Sequence, residues 1–447
     1  MSPYFNRSEQ LVQLFELYVE LVNESEKAVP SKREFWDSMN STEEFNDVRF
    51  RKYVSDLLKL VERYLIQERL DADGVRKQKY LVDAVLDEKL DRLYTATFRA
   101  FDRAIENQPF RSSEYFFDRY VYQAKCYELV EVKQDRKEKR PVEEVLKNIN
   151  SFSLCEQYRY TCQALSHQVI YNHGYDLPKL PEPDHTYESP ALQVYAQMYR
   201  TQIDYHNVKH YYKLRDLLQS HGQIFPIKEA EFIYFSALNY CIRKNNAGRT
   251  EFKKELLELY KDLLNKNILT ASGPISPWHF RNITTIALRN GEFDWTENFI
   301  REFSSKLPTR FQKNAVSFNT AQLHMHKKNF EKVVEILSQI EYDDITYNLN
   351  SKTMLVATYF ELNEMEPLYS LFDSFRTYLN RHKDIASSRR TNYTNLIKLT
   401  KKLTNTPINN FNKLQALMQE VDNLSKIGIA SESWLREKIA ERLAKAK

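Results

Sequence analysis

Apolar residues along this chain recur three and four positions apart, with charged residues between them. The clearest example begins at Asn46, where one face would carry Phe50, Tyr53, Val54, Leu57, Val61, Tyr64 and Leu65. This spacing places the apolar side chains along one side of an α-helix and the charged side chains on the other. Similar patterns recur from residue 10 to the C-terminus. We therefore predict an all-α fold.

Two capping boxes predict where short helices begin near the N-terminus. They are formed by Ser31 with Glu34 and by Ser41 with Glu44. In each pair, the hydroxyl and the carboxylate would accept hydrogen bonds from backbone amides that lack a partner in the first helical turn. We expect one helix after each serine.

Four prolines interrupt the helical pattern between Gly174 and Pro190. Because proline lacks an amide hydrogen and fixes φ, a regular helix cannot run through this segment. We predict a linker or long loop at 174–190, which separates an N-terminal helical region at 1–173 from a region of helical-hairpin repeats at 191–447. The last amphipathic helix, which starts at Ser431, would cap the repeats.

Three segments of the second region can be placed in register. The aligned positions are Gly291, Lys328 and Asn363, which are 37 and 35 residues apart. Two positions later, each segment has an apolar residue: Phe293, Phe330 and Met365. Seven positions further, two helical turns along the same face, come Ile300, Leu337 and Phe372. We predict that each segment is a helical hairpin whose second helix is held against the first by these apolar pairs.

Gly291, Phe293 and Pro308 resemble the tetratricopeptide pattern, in which a turn glycine, an aromatic residue and a proline that closes the second helix recur about every 34 residues. The segments around Lys328 and Asn363 lack the glycine and the proline. The resemblance is therefore to helical-hairpin solenoids as a class and covers residues 276–380. It implies an α–α superhelix with a curved binding groove. The whole chain also resembles all-helical bacterial proteins, which implies no activity.

Glycine is rare, with 7 residues in 447, and no two glycines are closer than 18 positions. The phosphate-binding loops GxxxxGK[ST] and GxGxxG need glycines within about six positions, so neither loop is present. The HExxH of zinc peptidases and the GxSxG of hydrolases are also missing. We assign no catalytic residue and no cofactor, and we predict that the protein is not an enzyme.

The overall charge is close to balance, with 65 basic and 61 acidic residues. No long-range field therefore directs the chain to nucleic acid or to a membrane. The four cysteines lack CxxC pairing, which favours reduced thiols. We find no pattern of a signal peptide or a membrane span. We expect a cytoplasmic protein without membrane contact.

One group of residues is a candidate metal site, in the run DYHNVKH. On a continuous helix, His206 and His210 would share one face and could chelate zinc together with Asp204. The sequence nearby supplies no convincing third and fourth ligand. A histidine pair on a helix surface explains the same spacing, so we predict no metal and keep these residues for the alternative of a metal-dependent enzyme.

Tyrosine is concentrated in the middle of the chain, where sixteen of the 29 tyrosines lie between Tyr115 and Tyr240. Tyrosine combines a large apolar area with a polar tip, and it is common both between packed helices and at interfaces. Both interpretations stay open at this point. The candidates for partner binding are Tyr195, Tyr199, Tyr211 and Tyr212.

A second local feature is the absence of acidic residues between Asp384 and Glu420. The basic residues of this stretch are Arg389, Arg390, Lys398, Lys401, Lys402 and Lys413. Uncompensated positive charge could bind an acidic peptide or phosphate groups, although acids of neighbouring repeats could also balance it. We select the first five as candidate binding residues.

These patterns favour a scaffold that binds a peptide or protein partner in the groove of a helical solenoid. The first alternative is a nucleic-acid-binding or regulatory module that uses the basic stretch at 385–419. The second is an enzyme whose site would include the histidines near Asp204. The identity of the partner and the oligomeric state do not follow from the sequence.

Overall fold

The computed structural model describes residues 6, 8–23, 29–39, 43–134, 139–171, 174–181, 188–271, 273–338 and 345–446. Within these ranges the chain forms 21 α-helices and no β-strand. The predicted all-α fold is therefore confirmed. Of the predicted elements, the capping box at Ser41 and residues 182–187 of the linker lie outside the described residues.

The helices form two compact units. The first comprises the described residues up to 164 together with 174–181 and 188–192, and the second comprises 165–171 and the described residues from 193 onwards. The boundaries inferred from the sequence, at 1–173, 174–190 and 191–447, stay a prediction. The described parts of the linker at 174–181 and 188–189 have no regular secondary structure, and its last residue, Pro190, begins a helix.

The N-terminal helical region corresponds to the first seven helices, and an eighth helix follows. Their bounds are α1 Glu9–Asn23, α2 Lys32–Ser38, α3 Asp47–Ala72, α4 Gly74–Asp87, α5 Tyr94–Glu106, α6 Ser113–Lys133, α7 Val142–Tyr171 and α8 Pro190–Ile203. The capping box at Ser31 is present, because its side chain accepts a hydrogen bond from the Glu34 amide and Glu34 accepts one from the Ser31 amide. Asn46 caps α3 without a reciprocal bond: its side-chain oxygen accepts a hydrogen bond from the Arg49 amide.

Two apolar clusters hold the first unit together. One cluster joins α1, α2 and α3 around Leu14, Trp36 and Phe50. The other joins α4 and α5, with α6 packed against it, around Val82, Phe101 and Ile105. In both, the buried residues belong to the apolar stripes of amphipathic helices.

The remaining helices lie in the second unit. Their bounds are α9 Val208–His221, α10 Ile227–Asn246, α11 Phe252–Asn265, α12 Ile268–Ala271, α13 Pro277–Arg289, α14 Phe293–Phe303, α15 Thr309–His326, α16 Phe330–Ser338, α17 Ile345–Glu361, α18 Met365–Arg381, α19 Ser387–Asn405, α20 Phe411–Ser425 and α21 Glu432–Lys445. Each helix packs on its neighbours in sequence order. In addition, α13 contacts α15 and α15 contacts α17, so the first helices of successive hairpins also pack together. This is an α–α superhelical arrangement.

Three hairpins of this unit turn in the same way. The residues at the turn, Gly291, Lys328 and Asn363, have φ values of +77°, +57° and +59°. In each case the next amide donates to a carbonyl five residues earlier: Glu292 to Ala287, Asn329 to His324, and Glu364 to Tyr359. This left-handed closing turn is the Schellman motif, which satisfies carbonyls at the end of the first helix.

The second helix of each hairpin then begins at Phe293, Phe330 or Met365, two residues after the left-handed position. The residues seven positions on, Ile300, Leu337 and Phe372, are buried. The predicted register of the three segments is therefore confirmed by their backbone geometry. Pro308 lies beyond the end of α14 and serves as the N-cap residue of α15.

The last helix, α21, packs at the end of the chain. Leu435 and Ile439 are buried in a cluster with residues of α19 and α20. The indole nitrogen of Trp434 donates to Glu361 at 3.0 Å. The amphipathic helix predicted from Ser431 thus covers the apolar faces of its neighbours.

Candidate functional site

An open groove of about 530 Å³ lies in the second unit between α18, α19 and α20. We call it the basic groove. Its lining residues are Arg376, Lys398, Lys401, Lys402, Asn405, Thr406, Lys413, Ala416, Leu417 and Glu420. Five of them are cationic and one is acidic.

The amphipathic character of α19 directs its lysines into this groove. Its core-facing residues include Leu396, Ile397, Leu399 and Leu403, which are fully buried. The lysines at 398, 401 and 402 occupy the positions between them and are spaced three and four apart, so they share the outer face of the helix. Lys413 comes from the first turn of α20, where Asn410 caps the helix by accepting from the Lys413 amide at 3.1 Å.

Glu420 is the acidic side chain of the basic groove. Its carboxylate oxygens lie 3.0 Å from the Nζ atom of Lys398 and 2.6 Å from that of Lys402. Burial alone would raise the pKa of Glu420, but the hydrogen bonds and charges of the two lysines outweigh this effect and hold the pKa below its ordinary value. Glu420 therefore stays ionised and neutralises one positive charge of the groove.

The other three cations of the basic groove form no ion pair within the described part of the chain. They are Arg376, Lys401 and Lys413. The Nζ atom of Lys401 lies 5.4 Å from the ring centroid of Tyr369, so an aromatic face supports its charge in place of a carboxylate. Three positive charges on one concave surface are thus left for an anionic ligand.

Two of the five basic residues selected from the sequence do not line this groove. Arg390 donates through Nη2 to the carbonyls of His382 and Ile385, at 3.2 and 3.3 Å, and so holds the loop before α19. Arg389 is half-buried on the same turn of the helix. Conversely, sequence reasoning missed Arg376, which comes from α18, where Glu366 and Asp373 interrupt the pattern of positive charge.

Tyr195 and Tyr211, two of the tyrosine candidates, are fully buried. The Tyr195 hydroxyl donates to Glu229 at 2.7 Å, and the Tyr211 hydroxyl donates to Glu255 at 3.1 Å. Burial raises the pKa of Tyr211 well above its ordinary value. Their assignment to partner binding is corrected, because core side chains with satisfied hydroxyls cannot contact a partner.

Tyr199 and Tyr212 are half-buried. The ring of Tyr212 stacks on Phe252 with centroids 6.3 Å apart, and the guanidinium carbon of Arg215 lies 5.2 Å from it. The tyrosine rings of α8 to α11 therefore lie mainly between packed helices. This agrees with the first of the two interpretations of the tyrosine-rich pattern, packing rather than partner binding.

The structure does not place the candidate metal ligands Asp204, His206 and His210 on one continuous helix. Helix α8 ends at Ile203 and α9 begins at Val208, with Asn207 as its N-cap residue, so Asp204 and His206 lie in the connecting turn. His206 and His210 therefore do not share one helical face. His210 instead contacts Asp204 through Nε2 at 3.1 Å. Among the described residues, no group of three or more His, Cys, Asp or Glu side chains is arranged to hold a metal ion.

No described helix is long and apolar enough to cross a lipid bilayer. In comparisons with known proteins, no family model and no curated protein matches this chain. The resemblance to tetratricopeptide repeats therefore stays a prediction.

Proposed function

We propose that this protein is an interaction scaffold and that it binds an acidic segment of a partner protein in the basic groove. The observation that carries the proposal is the charge of this surface: five cations surround one carboxylate, and three of them have no acidic partner in the described structure. Unpaired cations that share a concave surface attract a ligand with several negative charges.

The arrangement of Glu420 supports a carboxylate ligand. One carboxylate bridges Lys398 and Lys402, and we expect a glutamate or aspartate of a partner to pair with Lys401, Arg376 and Lys413 in a similar way. Leu417 and Ala416 add an apolar floor on which the stem of such a side chain could pack.

The extent of the positive surface favours a short acidic segment over nucleic acid. Nucleic-acid binding depends on contacts to many successive phosphates along a strand. Here five cations line one short groove, and the exposed acids Asp373 and Asp422 lie on the two helices that flank α19. A peptide with a few carboxylates matches this pattern better than a strand of phosphates.

The experiment is a binding titration with the full-length protein. A fluorescein-labelled peptide of twelve residues rich in Glu and Asp is compared, by fluorescence anisotropy, with its Gln and Asn counterpart and with a single-stranded oligonucleotide of twelve nucleotides. The variant with Lys398→Glu, Lys401→Glu and Lys402→Glu should bind the acidic peptide at least about thirtyfold more weakly than the wild type, because attraction becomes repulsion.

A matched variant reverses three exposed lysines of the same unit that lie outside the groove: Lys209→Glu, Lys213→Glu and Lys254→Glu. Its affinity should stay within about threefold of the wild type, because it changes the net charge equally but leaves the groove intact. The proposal fails if both variants lose the same affinity or if the Gln and Asn peptide binds as tightly. Tighter, strongly salt-dependent binding of the oligonucleotide would favour the nucleic-acid alternative.

A further inference from the structure

A second concave surface of the same unit lies at the N-terminal ends of three stacked helices. It is a pocket of about 220 Å³ lined by Pro277, Trp278, Arg281, Phe311, Thr346 and Tyr347. These residues belong to α13, α15 and α17, the first helices of successive hairpins. Three aromatic rings and a proline form most of its wall. We call it the tryptophan pocket.

Trp278 is largely exposed, with 56% of its surface accessible to solvent. It lies in the first turn of α13, where the Ser276 hydroxyl caps the helix by accepting from the Trp278 amide at 3.3 Å. Phe280 and Ile283 turn into the core and hold the helix in place. An exposed indole on a rigid helix start offers a large apolar area that loses little conformational entropy on binding.

Arg281 gives the tryptophan pocket a specific polar group. Its guanidinium carbon lies 4.8 Å from the ring centroid of Trp278, three residues earlier on the same face. No carboxylate forms an ion pair with Arg281 among the described residues. A guanidinium that stacks on an aromatic ring keeps the N–H groups of its edge available, and this edge matches a carboxylate.

We propose that the tryptophan pocket binds one aromatic side chain of a protein segment and that Arg281 binds the carboxylate of an acidic residue next to it. The volume supports a single side chain, because pockets for drug-sized ligands measure about 300–1,000 Å³. The apolar wall selects the ring, and the unpaired guanidinium selects the adjacent negative charge. This site goes beyond the basic groove, since it uses different helices and requires an aromatic residue.

The test uses the full-length protein and labelled nine-residue peptides that share an uncharged background and differ at the two central residues: Phe-Asp, Phe-Asn and Ala-Asp. By fluorescence anisotropy, the Phe-Asp peptide should bind about tenfold more tightly than each of the others. This factor corresponds to one aromatic anchor or one charge-assisted hydrogen bond.

Three protein variants assign the two contacts. Trp278→Ala should weaken the binding of the Phe-Asp and Phe-Asn peptides by about tenfold, whereas Trp278→Phe should restore most of the affinity. Arg281→Gln should abolish the preference for Phe-Asp over Phe-Asn. The control is Arg289→Gln, which removes the same charge from the exposed C-terminal end of the same helix and should leave the preference unchanged.

The outcome is independent of the basic groove. The variant with three groove lysines changed to glutamate should bind the Phe-Asp peptide within about threefold of the wild type, since no groove residue lines the pocket. The inference is overturned if no peptide binds, if Phe-Asn equals Phe-Asp, or if the groove variant loses the Phe-Asp peptide. In the last case the peptide is held by the basic groove, and the proposed function survives without the second site.

Discussion

Three buried tyrosine hydroxyls of the tyrosine-rich helices, α8 to α11, have acidic partners inside the fold, whereas most cations of the basic groove have none among the described residues. Tyr195, Tyr211 and Tyr234 donate to Glu229, Glu255 and Asp262, which come from other helices of the same unit. In the groove, the one carboxylate pairs with two of the five cations. Both regions have an unusual composition, but in the second the cations are gathered on one open surface.

This difference separates a structural use of polar residues from a binding use. A buried hydroxyl with an acceptor contributes to stability and specifies how the helices pack. An exposed cation without a partner contributes little to stability and keeps its charge for a ligand. We therefore expect substitutions in the first region to change folding and substitutions in the second to change binding.

The largest effect should come from Tyr211→Ala. The change removes a fully buried ring that stacks on Tyr240, with centroids 5.3 Å apart, and it deprives Glu255 of a donor. We expect the free energy of unfolding to fall by about 3–5 kcal/mol, measured by urea denaturation and circular dichroism. Lys401→Ala in the groove is the control and should change it by less than about 0.5 kcal/mol. Similar losses of unfolding free energy in Tyr211→Ala and Lys401→Ala would contradict the distinction between the two regions.

Replacing one glutamate by glutamine in each region sharpens the comparison further. Glu255 accepts from the buried Tyr211 hydroxyl and binds the Nη1 atom of Arg215 through both oxygens, at 3.0 and 3.1 Å. Glu255→Gln should therefore lower the free energy of unfolding by about 1–3 kcal/mol. Glu420→Gln breaks only contacts with two half-exposed lysines and should lower it by less than about 1 kcal/mol in the same denaturation experiment. A larger loss for Glu420→Gln would contradict this order.

Glu420→Gln should weaken stability slightly but strengthen the binding of the acidic peptide. It removes the internal carboxylate that competes for Lys398 and Lys402, so the affinity for the acidic peptide should rise by about three- to tenfold in the anisotropy titration. Asp422→Asn is the matched control. This exposed acid pairs with Arg436 and does not line the groove, and its loss should change the affinity by less than about twofold. Unchanged affinity in Glu420→Gln would show that Lys398 and Lys402 do not contact the peptide.

The smallest expected effect is the change with pH in the contribution of Glu420 to stability. Folding lowers the pKa of Glu420, so its ion pairs stabilise the folded protein above the unfolded pKa of about 4.3, and this contribution is lost as the pH falls through the lower folded value. The stability difference between the wild type and Glu420→Gln should be constant from about pH 7 to 5 and shrink towards pH 3. Urea denaturation across this range measures it, and a difference that grows on acidification would contradict the sign.

The helices and the turn register could be predicted because they depend on local spacing. Periodic apolar residues predict helices wherever they occur, and the alignment of Gly291 with Lys328 and Asn363 follows from the apolar residues two and nine positions later. That Lys328 would adopt a left-handed conformation is not visible from residue type, since glycine and, less often, asparagine are the usual residues at this position.

The sites depended on contacts between distant segments and were harder to predict. Of the five basic residues that the acid-free stretch selects, Lys398, Lys401 and Lys402 line one groove, but the stretch gives no information on Arg376, which lies on another helix. The spacing of His206 and His210 places both on one helical face only if the helix continues past Asp204. In the structure, Asn207 caps a new helix instead. Tyr195 and Tyr211 were ambiguous because a tyrosine suits a core and an interface equally well.

The shared left-handed turn has a consequence for how such a chain can change in length. Since each hairpin closes on its own carbonyls, a duplication or deletion that begins and ends at equivalent turn positions preserves the closing bonds of the remaining hairpins. Whole hairpins are therefore the natural unit of growth for this part of the molecule. The reach of its surface can increase in steps of about 35–37 residues without a new kind of joint.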